Sequence, residues 1–164
     1  MKKIKNIQDL EKLRSKIIKS KSLIKTLITI CAGTGCRVYG SEKIVKKFKD
    51  EIKKKNLTKK LVIKSTGCHG FCERGPIVVI YPDGIFYQKV KEQDVPKIID
   101  SVLKNKIIEE LLYVDEKTGK RIIYQKDIPF YKKQKRLIFG NNGLIDPTNI
   151  YDYIGIGGYS ALIK

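Results

Sequence analysis

Four cysteines stand in two tight pairs, Cys31-Ala-Gly-Thr-Gly-Cys36 and Cys68-His-Gly-Phe-Cys72, and the chain has no others. Thiolates are the protein's soft ligands, and four of them brought to one point can hold a [2Fe–2S] cluster, two sulfurs on each iron. The spacing is C-x4-C, then residues 37–67, then C-x3-C. Structural zinc sites use pairs two to four residues apart and often include histidine. An x4 pair and an x3 pair, separated by enough chain for a helix and a strand, suit zinc less well. Two disulfides are a third option; four cysteines allow three pairings. Disulfides belong to oxidising compartments, and no export signal is evident.

Glycines crowd both pairs. Cluster sulfur is negatively charged, and backbone N–H groups are its cheapest stabilising donors. Gly33, Gly35, Gly67 and Gly70 would let the chain take positive φ and approach a cluster without a Cβ in the way. Phe71, between the second pair, would shield the cluster from water. His69 is the only histidine. A Rieske centre needs two on one iron, so that class is excluded. His69 reads as an exposed loop residue, with a hydrogen bond tuning the cluster as the alternative. Arg74 reads equally well as a loop cation or as a charge facing the cluster or a partner. No paired carboxylates, Ser/His/Asp set or Walker loop is present, so no catalytic residue is assigned and hydrolase chemistry has no support.

The formal charge of +18 invites a nucleic-acid reading. Arginine occurs only at positions 14, 37, 74, 121 and 136, so lysine supplies thirty of the 35 basic residues. Phosphate and base recognition favours arginine forks, and the lysines are scattered. No nucleic-acid partner is expected. The surplus charge is a solvated surface or a means of steering toward an acidic redox partner. The basic N-terminus is interrupted by Asp9 and Glu11 before any apolar core of signal-peptide length. No segment approaches the roughly 20 apolar residues of a membrane span. The expectation is a cytoplasmic protein with no membrane insertion.

These cysteines need strands and helices to position them. Ile7 to about Lys19 patterns as a helix with Asn6 as N-cap and Leu10, Leu13, Ile17 and Ile18 on one face. Leu23–Cys31 patterns as a strand, with Ile24, Leu27, Ile28 and Ile30 its apolar content; the first cysteine closes it. A helix over Ser41–Lys54, capped by Ser41, buries Ile44, Val45, Phe48 and Ile52. A strand at Leu61–Lys64 leads into the second cysteine loop. Pro76–Tyr81 and Ile85–Lys89 form a hairpin across Pro82-Asp83-Gly84. A helix over Val95–Leu103 carries Pro96 in its first turn and turns Ile98, Ile99, Val102 and Leu103 inward. The order α-β-α-β-β-β-α is the thioredoxin-like pattern: an α/β fold with a mixed four-stranded sheet and flanking helices. Beyond Asn105 the patterning weakens, with a polar turn at Asp115–Lys120 and a helix start at Asp146-Pro147. This C-terminal extension has little core of its own. The expected division is 1–105 for the cluster domain and 106–164 for a linker or docking arm.

Both cysteine motifs, Gly67-Cys-His-Gly-Phe-Cys-Glu-Arg-Gly-Pro76 and the following Ile77–Tyr87 hairpin resemble a flavoprotein family's N-terminal thioredoxin-like [2Fe–2S] domain. That family comprises the NADH-binding subunits of NADH dehydrogenases and the beta subunits of NAD(P)-linked [FeFe]-hydrogenases. In the tail, Ile128–Arg136, Ile145-Asp146-Pro147 and Gly157-Gly158-Tyr159 are similar to the family's entry into its flavin module. The resemblance implies a [2Fe–2S] cluster on Cys31, Cys36, Cys68 and Cys72, surrounded by Gly33, Gly35, Gly70 and Phe71. It implies electron transfer with flavin or iron–sulfur centres of partner subunits, including a flavoprotein and a hydrogenase catalytic subunit. FMN and NAD(P)H would belong to a module or partner beyond these residues, since Gly155-Ile-Gly-Gly-Tyr-Ser160 is no G-x-G-x-x-G. On that reading Tyr124, Phe130 and Tyr131 would pack on the flavin module. The alternative from another class is a zinc-stabilised binding module, its metal held by the same four cysteines, that takes acidic partners on its basic surface.

Overall fold

The fold is organised around one central strand, β1 (Thr26–Cys31), in a computed structural model that describes residues 3–22 and 25–163. Parallel to it lies β2 (Leu61–Thr66), with Thr26 opposite Leu61 and Cys31 opposite Thr66. On its other side β3 (Val78–Tyr81) runs antiparallel and hairpins into β4 (Ile85–Tyr87), giving the order β2-β1-β3-β4. The expected strand content at Leu23 and Ile24 lies outside the described residues.

Alternation along the strands assigns two faces. Ile28, Ile30, Val78 and Ile80 enter one core with Ile44, Phe48 and Ile52 of helix α3 (Ser41–Lys54) and Val95, Ile98 and Ile99 of helix α4 (Val95–Leu103). Between β1 and α3 sits a five-residue helix, α2 (Thr34–Val38). Cys31, Ile77, Val79 and Phe86 belong to the opposite face. Helix α1 (Ile7–Ser22) precedes the sheet, and Asn6 caps it by accepting from Asp9 N at 2.9 Å. Among the described residues no helix is long and apolar enough to cross a membrane.

The second face is covered by residues beyond Asn105. Ile128 is fully buried there, with Tyr113, Ile122, Phe130 and Tyr131 around it. The main chain of this segment also runs along β4: Phe86 N donates to Ile123 O at 2.8 Å and Gln88 N to Leu111 O at 2.9 Å. A small hairpin, β5 (Tyr113–Val114) and β6 (Arg121–Ile122), forms beside it. The edge of β4 is thereby covered, which removes a row of unpaired donors and acceptors. So Phe130 and Tyr131 pack on this sheet, and the expectation that they await a flavin module is corrected.

After the short helix α5 (Pro129–Lys132), helix α6 (Ile150–Gly155) returns to α1, where Ile154 packs with Leu10 and Ile17. The last element, α7 (Ser160–Ile163), follows it. Arg14 of α1 donates to Ile154 O at 3.0 Å and Ser160 Oγ at 2.7 Å. Asp152 of α6 is buried between Lys64 Nζ at 2.7 Å and Lys21 Nζ at 2.9 Å, and accepts from Asp146 N at 2.8 Å. Burial opposes its charge, but these donors outweigh it and hold the carboxyl below the usual carboxylate range.

Several local expectations change. Helix α3 is capped by Gly40, at φ 88, rather than Ser41; only glycine takes that left-handed conformation freely. Ser41 is the first helical residue and its buried Oγ has no partner. Helix α6 begins at Ile150 with Asn149 as cap, because Asp146 instead closes a turn onto Thr148 N at 2.9 Å. Ile18 and Leu103 are exposed, each at the margin of its helix's apolar stripe. Strand β2 runs two residues past Lys64, since pairing with β1 on one side suffices for the polar Ser65 and Thr66.

Candidate metal centre

The parallel register of β1 and β2 builds the site. Cys31 is the last residue of β1 and lies opposite the last residue of β2, so both cysteine loops leave the same edge of the sheet. Cys31 N donates to Ile77 O at 3.0 Å and Ala32 N to Thr66 O at 2.9 Å, which fixes the first loop against β2 and β3. Helix α2 then carries Cys36 back beneath the loop. Cys68 lies in the turn after β2, and Cys72 opens a single helical turn, Cys72–Arg74.

All four cysteines are free thiols brought to one place. Cys31 is in side-chain contact with Cys36 and with Cys68, and Cys68 Sγ lies 4.0 Å from Cys72 Sγ. Cys31 and Cys36 are buried, Cys68 is half-buried and Cys72 is exposed. The Cys36 thiol donates to Cys31 and draws the Cys31 pKa down to about 6, against burial. The same bond, with burial, pushes Cys36 up. Burial raises Cys68, partly offset by the N–H of Gly70, which points at its sulfur at 3.2 Å.

Glycines stand where the two cysteine segments cross. A Cβ on Gly33 would lie 2.8 Å from Cys68 Cβ, and one on Gly35 would lie 3.2 Å from Cys72 Sγ. Gly75 does the same for Cys36, at 2.7 Å from its Sγ. Close approach, not positive φ, explains Gly33, whose φ is −62. Gly70 alone among the four glycines singled out from sequence has positive φ, at 84. Gly67 instead makes room for Asn142. Gly33→Ala is therefore expected to strain the site without straining its own backbone. Overpacking of this kind costs about 1–3 kcal/mol, and iron retention at about 37 °C in the presence of a chelator should shorten at least severalfold. Unchanged retention would show that the two loops can part without cost.

His69 is fully buried, which corrects the expectation of an exposed loop residue. Thr66 Oγ1 donates to Ile30 O at 3.2 Å and sits 3.0 Å from His69 Nε2. With the single hydroxyl proton spent on Ile30, Nε2 carries the imidazole proton and Gln125 Nε2 donates to Nδ1 at 3.3 Å. Burial, with Arg136 nearby, lowers the His69 pKa to about 4, so the ring is neutral at pH 7. It fixes the loop between Cys68 and Cys72 from below. Phe71 stacks on Phe130 at 4.2 Å and meets Tyr113 and Tyr131 at 5.8 and 5.9 Å. Arg74 bonds the Glu116 carboxylate, pairs with Glu73 at 3.1 Å and lies 5.3 Å from the Tyr113 ring centre.

Thr66, Gly75, Gln125 and Arg136 join the site without having been singled out from sequence. Gly75, just past the second pair, carries a compositional signal like that of Gly33. Gln125 and Arg136 reach the site only through the folding of the C-terminal segment.

Two pairs of thiols, each pair close and the pairs in contact, suit a binuclear iron cluster with two thiolates per iron.

The sheet order and the four thiols at its edge define a thioredoxin-like protein with a thiol-lined redox centre. The family model for "Thioredoxin-like [2Fe-2S] ferredoxin" matches residues 16–103, more than half of the chain. The chain belongs to this family, which implies a [2Fe–2S] cluster and electron transfer. A [2Fe-2S] ferredoxin from Clostridium pasteurianum is 35% identical over 88 residues, covering 48% of this chain and 84% of the relative. One from Aquifex aeolicus is 40% identical over 70 residues, 42% of this chain and 63% of the relative. A solved structure of a thioredoxin-like [2Fe-2S] ferredoxin from Aquifex aeolicus superposes with TM-score 0.52 at 29% identity, covering 60% of this chain and 99% of the other.

Proposed function

We propose that this chain passes single electrons through a [2Fe–2S] cluster bound by Cys31, Cys36, Cys68 and Cys72, as the iron–sulfur component of a cytoplasmic NAD(P)H-linked redox complex. NADH dehydrogenase and NAD(P)-reducing hydrogenase are the types the motifs resemble. The observation that carries the ligand assignment is the meeting of two cysteine pairs at one sheet edge, with glycines at each crossing. When bound, such a cluster accepts and releases one electron at a time. The chain's own residues do the rest. The Gly70 N–H donates to the Cys68 sulfur. Phe71 and Phe130 close the apolar side of the loop against water. His69, neutral and doubly bonded, keeps the loop from shifting when charge changes.

In this reading residues 1–105 form the cluster domain and residues 106–164 a docking arm toward a flavoprotein, iron–sulfur or hydrogenase catalytic subunit. The exposed run Leu137, Ile138 and Phe139 supports an arm that meets a partner, since apolar side chains this exposed are uncommon in company. FMN and NAD(P)H belong to a module beyond these residues or to a partner.

The test is anaerobic purification of the 164-residue chain. Two irons and two acid-labile sulfides per chain, with an EPR signal after dithionite, are expected. NADH should reduce the cluster only when an NADH-oxidising flavoprotein is supplied. One zinc per chain and a colourless protein would replace this reading with the zinc module. Reduction by NADH without any flavoprotein would refute the assignment of flavin chemistry to a partner.

A further inference from the structure

The cysteine loop is touched by a cation from the C-terminal segment. Arg136 Nη2 donates to the carbonyl oxygen of His69 at 2.5 Å. That carbonyl belongs to the His69–Gly70 peptide, whose N–H faces Cys68 Sγ at 3.2 Å. Guanidinium, peptide and sulfur therefore form one chain of hydrogen bonds. A peptide whose oxygen accepts from a cation becomes a stronger donor at its nitrogen, because successive hydrogen bonds polarise one another.

The seat is built for this side chain. Gly70, at φ 84, leaves the space; a Cβ there would come 2.8 Å from Arg136 Nη2. The guanidinium lies 5.0 Å from the Tyr131 ring centre, and Arg136 Nε donates to Gln134 Oε1 at 2.9 Å. Among the ion pairs of the described residues none involves Arg136, so its charge is not neutralised by a carboxylate. Lysine could not reproduce the arrangement, since only a planar fork reaches the carbonyl while lying against the ring.

We infer that Arg136 is a positioning residue for the redox centre: through the His69–Gly70 peptide it strengthens the N–H bond to Cys68 and raises the reduction potential of a cluster held there. The inference rests on the [2Fe–2S] function proposed above. Hydrogen bonds to sulfur and net charge near the cluster are established determinants of potential. Both favour the reduced, more negative state. The residue arises in the C-terminal segment, so departure of that segment from the sheet would also lower the potential. Arm position is thereby coupled to electron affinity.

The experiment is a redox titration of the full chain followed by EPR, on the parent, Arg136→Gln and Arg136→Lys. At the parent's midpoint, Arg136→Gln is expected to lower the reduced-to-oxidised ratio by about three- to tenfold, tenfold being about 59 mV for a one-electron couple. Arg136→Lys keeps the charge but not the fork, and should fall between the two. A parent without iron refutes the function itself. A parent with a full cluster and an Arg136→Gln variant at the parental potential overturns the inference alone. An Arg136→Lys variant at the parental potential would also overturn it, because charge without the fork would then suffice. Should Arg136→Gln fail to fold, Arg136→Lys decides: a lowered potential supports the inference and the parental value overturns it.

Discussion

Cys31→Ala and Cys36→Ala are each expected to leave a folded chain that holds less than about a tenth of the parental iron. Altering groups that only support metal ligands already costs about 10–100-fold in affinity. Removing a thiolate takes away a bond and leaves a coordination position that neither Ala nor the apolar surroundings can fill. Both positions are 1% exposed, so water has poor access as a replacement ligand. The volume lost is small, and the thioredoxin-like sheet should keep its far-ultraviolet circular dichroism. Iron and sulfide assays check the first expectation and the spectrum the second. Serine at the exposed Cys72 should be milder than alanine at the buried pair. Its oxygen is a harder, poorer ligand for iron, but solvent can assist there. Full iron content in Cys31→Ala would remove Cys31 from the ligand set.

The second large effect concerns Asp152. This carboxylate joins the arm to α1 and β2 through Lys21 and Lys64. Breaking a buried ion pair by removing one partner costs about 3–5 kcal/mol. Lys21 is roughly a third exposed and can turn to water, which places Asp152→Ala near the lower end, about 3 kcal/mol. Local opening of α6 should then rise by about a hundredfold, read as faster limited proteolysis within residues 133–163. The pH dependence has a definite sign. The folded carboxyl titrates below its ordinary value, so its stabilisation is complete above about pH 3.9 and is lost as pH falls further, through the folded pKa. Acid should therefore speed cleavage of the parent in that window while Asp152→Asn changes little across it. Identical acid profiles for the two would show that Asp152 does not anchor the arm.

Much of the sheet and the cysteine geometry is legible in the residues. Runs of apolar residues locate β1, β3 and β4, and turn chemistry at Pro82-Asp83-Gly84 ties the last two together. Helical spacing of Ile44, Phe48 and Ile52 finds α3. The thiols can be placed at one edge because each pair follows a strand. What stays hidden is non-local. His69 looks like a loop residue because nothing nearby in sequence buries it; its partners are Thr66, Gln125 and the carbonyl contact from Arg136. In the sequence the arm has no visible home because its apolar residues follow no period. Ile128, Phe130 and Tyr131 fill gaps on a finished sheet face, a task that requires shape and no repeat. Ser41 passes for a cap because glycine's capping role rests on a left-handed backbone, which composition does not display.

The parallel pairing of β1 with β2 has a consequence for assembly. Parallel neighbours cannot be joined by a tight turn, so Cys31 and Cys68 meet only after α3 has crossed over and the sheet has closed. Contacts so distant along the chain form late, since loop closure must precede them. Isolated cysteine pairs on an open chain would offer iron two ligands at most. In small zinc modules metal binding supplies the folding free energy. Here the larger core, Ile28, Ile30, Phe48 and their neighbours, includes none of the four cysteines. The scaffold is then the template and the inorganic centre the last piece installed. Of the four thiols Cys72 is the one open to solvent, so iron would be delivered from its side.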